Sequence, residues 1–319
     1  MASRRQFLAG LGGTVLAKHL SGSPLMAATP SSLKLSVITD EISQDLDHAL
    51  AVAHEFGLQY VELRAMWNKN LMDLQEDQVK EASRLLTKYG MKVTDIASPF
   101  MKVDAPGFTT REGQHDSFNA RFGYKEQPQV LDRAIYLAKA FNTNKIRVFS
   151  FWRVEKPEQV FDLAVSDLRK ALETAKKQKI TLVLENEHDC NIATSAESMK
   201  LLNAIQDPYL GLNWDPGNAY AAGEKKPYPD GYNSLPKNRI LHMHVKDARR
   251  NPETGKTDWA PMGKGEIDWL GQIRGLMRDG YSQGFSLETH WRNEKKDPEE
   301  SSRICMQGLK DLIARAGQT

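Results

Sequence analysis

From Leu33 onward, short apolar and β-branched runs alternate with longer segments in which apolar residues recur at the spacing of a helix. The short runs predict eight strands, at residues 33–40, 60–64, 92–98, 145–151, 181–187, 210–216, 240–246 and 284–290. Gly57, Gly90 and Gly280 stand where three of the intervening helices should end, a position that glycine favours. This alternation of strand and helix is typical of α/β folds with a parallel sheet.

The number of repeats favours one of the two common parallel architectures. An open doubly wound sheet commonly has fewer strands and a glycine-rich turn after the first one, and no G-x-G-x-x-G follows residues 33–40. Eight strand–helix units over residues 33–319 therefore predict a single-domain (β/α)₈ barrel. In such barrels the active site lies at the C-terminal face, in the loops that follow the strands.

Two of the loops expected at this face are long. Residues 99–125 follow the third predicted strand, and residues 247–266 follow the seventh. Long loops in a compact domain often carry function. We expect these two to be lids over a site or contacts between the subunits of a homo-oligomer.

The seventh predicted strand, ILHMHVK, alternates apolar and polar residues. Because successive side chains of a strand point to opposite faces, His242, His244 and Lys246 share one face. Two interpretations remain open from this strand alone. The polar face either lines a wet or metal-filled interior, or it is the solvated face of an antiparallel edge strand.

Three other late strands carry an acidic residue near the same end. Together with His244, the residues are Glu185, Asp215 and Glu288, each one strand–helix unit from the next. In a barrel these four side chains would converge at the C-terminal face, although each alone has an ordinary structural explanation. Three carboxylates and one imidazole form an oxygen-rich site that suits Mn²⁺, with Mg²⁺, Co²⁺ and Zn²⁺ as competitors.

Composition narrows the class of partner. The 319 residues are 40% hydrophobic and 26% charged, with a net charge of +2, so the chain lacks the basic footprint of a nucleic-acid-binding protein. After the N-terminal segment no stretch approaches the 18 apolar residues of a membrane span. The only cysteines, Cys190 and Cys305, indicate neither a disulfide framework nor a cysteine metal cluster. A small-molecule partner is expected.

The N-terminal segment has the pattern of an export signal. Arg4 and Arg5 precede a short stretch rich in Gly, Ala and Leu, and small residues near Ala27 and Ala28 offer a cleavage site. We predict that residues 1–28 are a twin-arginine signal peptide and that the mature protein is exported to the periplasm. The alternative is a disordered basic leader.

From Leu33 to the C-terminus the chain resembles the xylose isomerase-like TIM barrel superfamily of sugar isomerases and epimerases. The resemblance is carried by six motifs, namely FGLQYVELR, LENE, WDPGN, HMHVKD, GKGEIDW and LETHW. It implies that Glu185, Asp215, His244 and Glu288 bind one divalent metal, with His244 rather than His242 as the ligand. It also implies that Arg250, or the adjacent Arg249, binds substrate.

Two positions depart from the ketose 3-epimerases of that superfamily. Asn218 stands where they have a histidine, and Asn191 stands where they have a second glutamate. Further residues are expected around the mouth of the barrel, which is the opening at its C-terminal face. They could contact sugar hydroxyls or stack on a sugar ring, or could form hydrogen bonds within a polar barrel. The predicted substrate-binding residues are Glu62, His188, Asn218, Lys246, Arg250 and Trp291.

The sequence thus predicts a metal-dependent sugar isomerase or epimerase. A metal that chelates a hydroxy-carbonyl unit would stabilise an ene-diolate, with Glu185 and Glu288 as catalytic base and acid. With a leaving group beta to the carbonyl, the same chemistry would make the protein a lyase. A non-catalytic sugar-binding barrel and an apurinic endonuclease-like hydrolase are the remaining alternatives, and near-neutral charge disfavours the latter.

Overall fold

The computed structural model describes residues 33–111 and 120–318 and contains an eight-stranded parallel sheet. The strands are β1 (Lys34–Val37), β2 (Tyr60–Leu63), β3 (Lys92–Ile96), β4 (Lys145–Val148), β5 (Thr181–Glu185), β6 (Leu210–Trp214), β7 (Ile240–Val245) and β8 (Gly284–Leu287). They pair in the order β1-β8-β7-β6-β5-β4-β3-β2. A parallel bridge between Ile38 and Glu62 joins the two edges, so the sheet forms a nearly closed barrel. The predicted (β/α)₈ barrel is confirmed.

A helix follows each strand. The helices are α1 (Leu46–Glu55), α2 (Glu76–Lys88), α3 (Gln127–Ala140), α4 (Phe161–Lys177), α5 (Ser195–Ala204), α6 (Pro216–Ala221), α7 (Trp269–Arg278) and α8 (Pro298–Ala316). Asp45 and Asp297 begin α1 and α8 by accepting hydrogen bonds from backbone N–H groups of the first turn. Gly57, Gly90 and Gly280 follow α1, α2 and α7 with φ of 73°, 65° and 71°, as predicted.

The barrel separates an apolar shell from a polar interior. Ala164, Leu168 and Leu172 of α4, spaced four residues apart, are all buried on one face of the helix, as in an amphipathic helix packed on a sheet. Inside the barrel, the fully buried His242 instead lies 3.2 Å from Asn213 and 3.4 Å from Asp95. Polar side chains therefore line the interior of the barrel, and apolar side chains fill the space between the strands and the helices.

The long loop after β7 contains an antiparallel hairpin that the sequence did not predict, Asp247–Arg250 paired with Thr257–Ala260. The carboxylate of Asp247 accepts hydrogen bonds from the N–H groups of Ala248, Gly263 and Gly265 at 2.9, 3.0 and 2.9 Å. A Cβ atom at position 265 would lie 2.1 Å from Asp247 Oδ1, so the turn requires glycine there. Asp247 thus anchors the segment that follows the hairpin, at Gly263 and Gly265, to the start of the hairpin.

Replacing Asp247 with alanine should destabilise the protein by about 1–3 kcal/mol, because backbone N–H groups would lose a buried acceptor. Urea denaturation followed by circular dichroism measures this change. Glu253→Ala is the matched control, since Glu253 is exposed on the turn of the same hairpin, and it should change stability by less than about 0.5 kcal/mol. Equal stability of Asp247→Ala and the wild type would rule out the anchoring role.

Four further sequence predictions concern the N-terminal segment, membrane spans, the cysteines and the first long loop. Residues 1–28, the predicted signal peptide, lie outside the described residues. Within the two described ranges, no helix is long and apolar enough to cross a membrane. Cys190 and Cys305 are both buried and carry free thiols. Of the loop 99–125, the structure describes residues 99–111 and 120–125.

Candidate metal centre and active site

The four residues predicted to bind a metal come together at the C-terminal ends of β5 to β8. His244 Nδ1 lies 3.1 Å from Glu185 Oε1, 3.3 Å from Glu288 Oε2 and 3.8 Å from Asp215 Oδ2. One ligand atom from each of the four residues lies within 4.8 Å of the other three. All four side chains are buried. The chain therefore builds one compact cluster from four separate strands.

The motif WDPGN determines the position of Asp215 and the approach of Lys246 to it. Asp215 begins α6, and its Oδ1 accepts a hydrogen bond from Asn218 N at 2.9 Å, which leaves Oδ2 on the side of the cluster. Pro216 occupies the first turn of α6, where its missing N–H costs nothing. A Cβ atom on Gly217 would lie 2.6 Å from Lys246 Cγ, so glycine allows Lys246 to approach.

Cationic side chains compensate the buried carboxylates of the cluster. Lys246 Nζ lies 2.7 Å from Asp215 Oδ2 and also binds Glu288 Oε2. Burial raises the pKa of Asp215 to about 6 despite this lysine. For Glu288, burial would raise the pKa, but Lys246, His290 and His244 together hold it well below its usual range. Glu288 is therefore held as a carboxylate.

The imidazole at the centre of the cluster has the opposite perturbation. Burial alone would lower the pKa of His244, but the carboxylates of Glu62, Glu185 and Glu288 raise it well above its usual range. His242 lies two residues before His244 on β7, deeper in the barrel. Burial lowers the pKa of His242 to about 3, so its ring is neutral. A metal held by His244 would therefore displace a proton from this imidazolium.

Three of the predicted substrate-binding residues border the cluster. Lys246 lies among the ligands, and Asn218 Nδ2 donates a hydrogen bond to Glu185 Oε1 at 3.0 Å. His188 Nδ1 lies 3.0 Å from Asn218 Oδ1 and 2.8 Å from Glu187 Oε1. Burial would lower the pKa of His188, but Glu187 raises it to about 9. The mouth therefore carries a cationic imidazole beside the cluster.

The other three predicted substrate-binding residues lie elsewhere. Glu62 is fully buried beneath His244, with Oε1 2.9 Å from His244 Nε2, so it is not at the mouth. Arg250 is exposed on the hairpin, where it donates to Gly255 O at 3.2 Å and its guanidinium lies 5.5 Å from the ring of Tyr220. Trp291 packs against the hydrophobic core with part of its side chain exposed.

One aromatic residue at the mouth, Trp259, was not predicted from the sequence. Its ring centroid lies 5.0 Å from that of His290 and 6.0 Å from that of His188, both in edge-on contact. Lys246 Nζ lies 5.3 Å from the same ring. Its position in the predicted lid loop was the available clue, and the hairpin is what directs Trp259 towards the cluster.

The chemistry of the donor set fits a divalent cation. Three carboxylate oxygens and one imidazole nitrogen, buried and mutually close, are ligands that Mn²⁺, Mg²⁺ and Zn²⁺ all accept in proteins. Burying three carboxylates is costly unless cations compensate them. Glu185, Asp215, His244 and Glu288 are thus the residues that would hold a metal.

Comparison with known proteins identifies the family to which this fold belongs. A family model described as xylose isomerase-like TIM barrel matches residues 50–312. The chain belongs to this family. Its relatives include 3-oxo-isoapionate decarboxylase of Pectobacterium atrosepticum, which is 28% identical over 178 residues covering 54% of this chain and 62% of that protein. The match to this curated relative thus spans less than two thirds of its length.

Two solved structures share the xylose isomerase-like barrel. The crystal structure of the IOLI protein with a bound zinc atom is 16% identical, with a TM-score of 0.68 over 90% of this chain and 100% of that chain. A D-tagatose 3-epimerase-like protein is also 16% identical, with a TM-score of 0.64 over 89% of this chain and 99% of that chain. At these identities the structures show a common fold.

Within this xylose isomerase-like barrel, the two positions that depart from the ketose 3-epimerases have different surroundings. Asn218 contacts Glu185 and His188 and so belongs to the site. Asn191 donates hydrogen bonds to Ser150 O at 3.0 Å and Trp152 O at 2.9 Å. Its amide therefore shapes the loop after β4 and lies outside the metal cluster.

Proposed function

We propose that the protein is a metal-dependent enzyme that removes a proton next to a carbonyl of a sugar or sugar derivative, and so isomerises or epimerises it. The observation that carries this proposal is the presence of two glutamates, Glu185 and Glu288, in one buried cluster with a histidine and an aspartate. When bound there, a divalent cation would hold a carbonyl and a neighbouring hydroxyl oxygen and stabilise the charge developed by deprotonation.

Glu185 and Glu288 are suited to move protons because they reach the cluster from two sides. They end β5 and β8, with β6 and β7 between them. Both are carboxylates in this environment, since His244 and nearby cations lower the pKa of each against the raising effect of burial. One carboxylate would take the proton from the carbon next to the carbonyl and, as the carboxylic acid so formed, could return that proton to a neighbouring atom in an isomerisation. In an epimerisation the other glutamate would give the proton to the opposite face, after first taking one up from water.

The surrounding residues would orient the substrate and exclude water. Lys246 offers an ammonium group beside Asp215 and Glu288 that can donate a hydrogen bond to a substrate oxygen. Trp259, with His188 and His290 on either side, presents an aromatic surface suited to the apolar face of a sugar ring. Arg250, in the position described, would reach the substrate only if the hairpin moves.

The choice of metal is also a proposal. The excess of carboxylate over imidazole ligands favours Mn²⁺, with Mg²⁺, Co²⁺ and Zn²⁺ as competitors. Because Co²⁺ and Zn²⁺ bind most protein sites more tightly than Mn²⁺ does, the preference is measured as the turnover of protein loaded with one of these ions at a time. A clear preference for Zn²⁺ would contradict the assignment of Mn²⁺ and leave the ligand set intact.

A lyase is the second candidate function, and the decarboxylase relative favours it. Loss of CO₂ from a 3-oxo acid leaves the electron pair of the broken C–C bond as an enolate, which then takes a proton, so the same cluster would serve. The cationic His188 and Lys102, whose Nζ lies 3.7 Å from Glu187 Oε2, would be near enough to bind a substrate carboxylate.

Incubation in D₂O with Mn²⁺ and a panel of ketoses, aldoses, 3-keto-glycosides and sugar 3-oxo acids, followed by NMR, tests both functions. We expect deuterium at the carbon next to the carbonyl of a rearranged product, with no group released. Release of CO₂, water or an aglycone would select the lyase. A metal-loaded protein that binds sugars without exchange or turnover would instead support a non-catalytic sugar-binding barrel.

We also propose export through the twin-arginine pathway, supported by Arg4, Arg5 and the small residues before Leu33. Replacing both arginines with lysine should leave the full-length precursor in the cytoplasm, because this pathway recognises the arginine pair. Fractionation of cells and the mass of the mature chain measure the effect. Unchanged export of the double variant would exclude this route.

A further inference from the structure

We propose that the early strands of the barrel supply a layer of positioning residues, Glu62, Arg64 and Arg147, that fixes how the metal ligands present themselves. Each would hold, from the far side, the atom of a ligand side chain that does not face the metal. This inference rests on the proposed metal site. Glu62 lies in β2, Arg64 directly after it and Arg147 in β4, whereas the ligands lie at the C-terminal ends of the later strands β5 to β8.

The clearest case is His244. Its Nδ1 faces Glu185 and Glu288, while its Nε2 lies 2.9 Å from Glu62 Oε1 on the opposite side of the ring. A carboxylate in this position accepts a hydrogen bond from Nε2–H, which leaves the lone pair on Nδ1 for the metal. Glu62 is fully buried, so the ring cannot easily turn away from it.

Buried arginines contact the two glutamate ligands, Arg64 by a hydrogen bond to Glu288 and Arg147 by an ion pair with Glu185. Arg64 Nη1 donates to Glu288 Oε1 at 2.9 Å, and the other oxygen, Oε2, faces His244. Arg147 Nη1 lies 3.2 Å from Glu185 Oε2, and the other oxygen, Oε1, faces His244. Both arginines are 2% exposed. Each glutamate therefore presents one oxygen to the cluster and has its second oxygen engaged by a buried guanidinium.

Arg64 is itself held in place. Its guanidinium also donates to Asp40 Oδ2 at 2.9 Å and to Glu41 Oε1 at 2.7 Å, both in the short 3-10 turn that follows β1. These contacts connect a metal ligand on β8 to β1 and β2, across the place where the barrel closes. The position of Glu288 therefore also depends on how β1 and β2 come together to close the barrel.

The test uses Zn²⁺ alone and does not depend on an identified substrate. In zinc-loaded protein with ¹⁵N-labelled histidine, long-range ¹H–¹⁵N correlation should show His244 protonated at Nε2 and metal-bound at Nδ1. Coordination through Nε2 would overturn the proposal while leaving the metal site in place. Failure of the wild type to bind a divalent metal at all would remove the proposed metal site, and this inference with it.

Variants separate positioning from general stability. Glu62→Leu should weaken zinc affinity by about 10- to 100-fold, measured by chelator competition, and Glu62→Gln, which keeps an acceptor oxygen, should restore much of it. Asp95→Asn is the matched control, because Asp95 is equally buried but contacts His242 instead of His244. Wild-type affinity in Glu62→Leu, or an equal loss in Asp95→Asn, would contradict a positioning role for Glu62.

Discussion

Replacing Glu185 or Glu288 with glutamine should lower turnover by about 100- to 10,000-fold, the range expected when a general acid or base is removed. Glutamine keeps the shape of the side chain and an oxygen that can bind a metal, but it cannot take up a proton. Deuterium exchange into the substrate should fall in parallel with turnover. Steady-state kinetics and NMR exchange rates, measured on the same preparation, provide both values.

Metal content must be measured in the same samples, because both glutamates are also proposed ligands. Glu81→Gln is a suitable control, since Glu81 is exposed on α2 and pairs with Arg84 far from the cluster. It should retain full activity. A metal-loaded Glu185→Gln and a metal-loaded Glu288→Gln that both turn over substrate at the wild-type rate would refute the proposed acid–base roles.

The second large effect concerns the two histidines of β7. His244→Ala should abolish most metal binding, whereas His242→Ala should leave most of it, because His244 Nδ1 faces Glu185, Asp215 and Glu288, whereas His242 faces Glu62 and Asp95 deeper in the barrel. His242 instead lies 3.2 Å from Asn213 Oδ1 and 3.3 Å from Thr94 Oγ1. Elemental analysis after dialysis should therefore give about one metal per chain in the wild type and in His242→Ala.

The pair is well matched because both rings are fully buried in the same barrel interior. Each substitution leaves a similar cavity, so a loss of stability alone would affect both variants. Thermal melting of the metal-free proteins should show comparable destabilisation. Equal loss of metal in the two variants would show that His244 is not the specific ligand.

The sequence was sufficient to predict the barrel because its signals are local. Apolar periodicity separated strands from helices, and glycine marked helix ends at Gly57, Gly90 and Gly280. Convergence of the ligand candidates was predictable for a related reason. Glu185, Asp215, His244 and Glu288 stand at the same end of consecutive parallel strands, and such ends meet at one face of a barrel.

The positioning layer could not be predicted in this way. Whether Arg64 faces Glu288 depends on the stagger between β2 and β8, which are distant in sequence and lie on either side of β1 where the barrel closes. Glu62 was expected at the mouth, but the stagger places it beneath His244. For Trp259 and Arg250 the deciding factor is the hairpin after β7, whose pairing is set by Asp247 and two glycine N–H groups rather than by apolar periodicity.

Anomalous X-ray diffraction from crystals loaded with Mn²⁺ is the most direct test of the proposed metal site. We expect one strong anomalous peak bonded to Glu185, Asp215, His244 and Glu288. Among the other acidic and histidine groups of the described residues, Glu187, His188 and Asp189 lie at the edge of the mouth. A peak at that group, or no peak at the four predicted ligands in metal-saturated crystals, would contradict the proposed metal site.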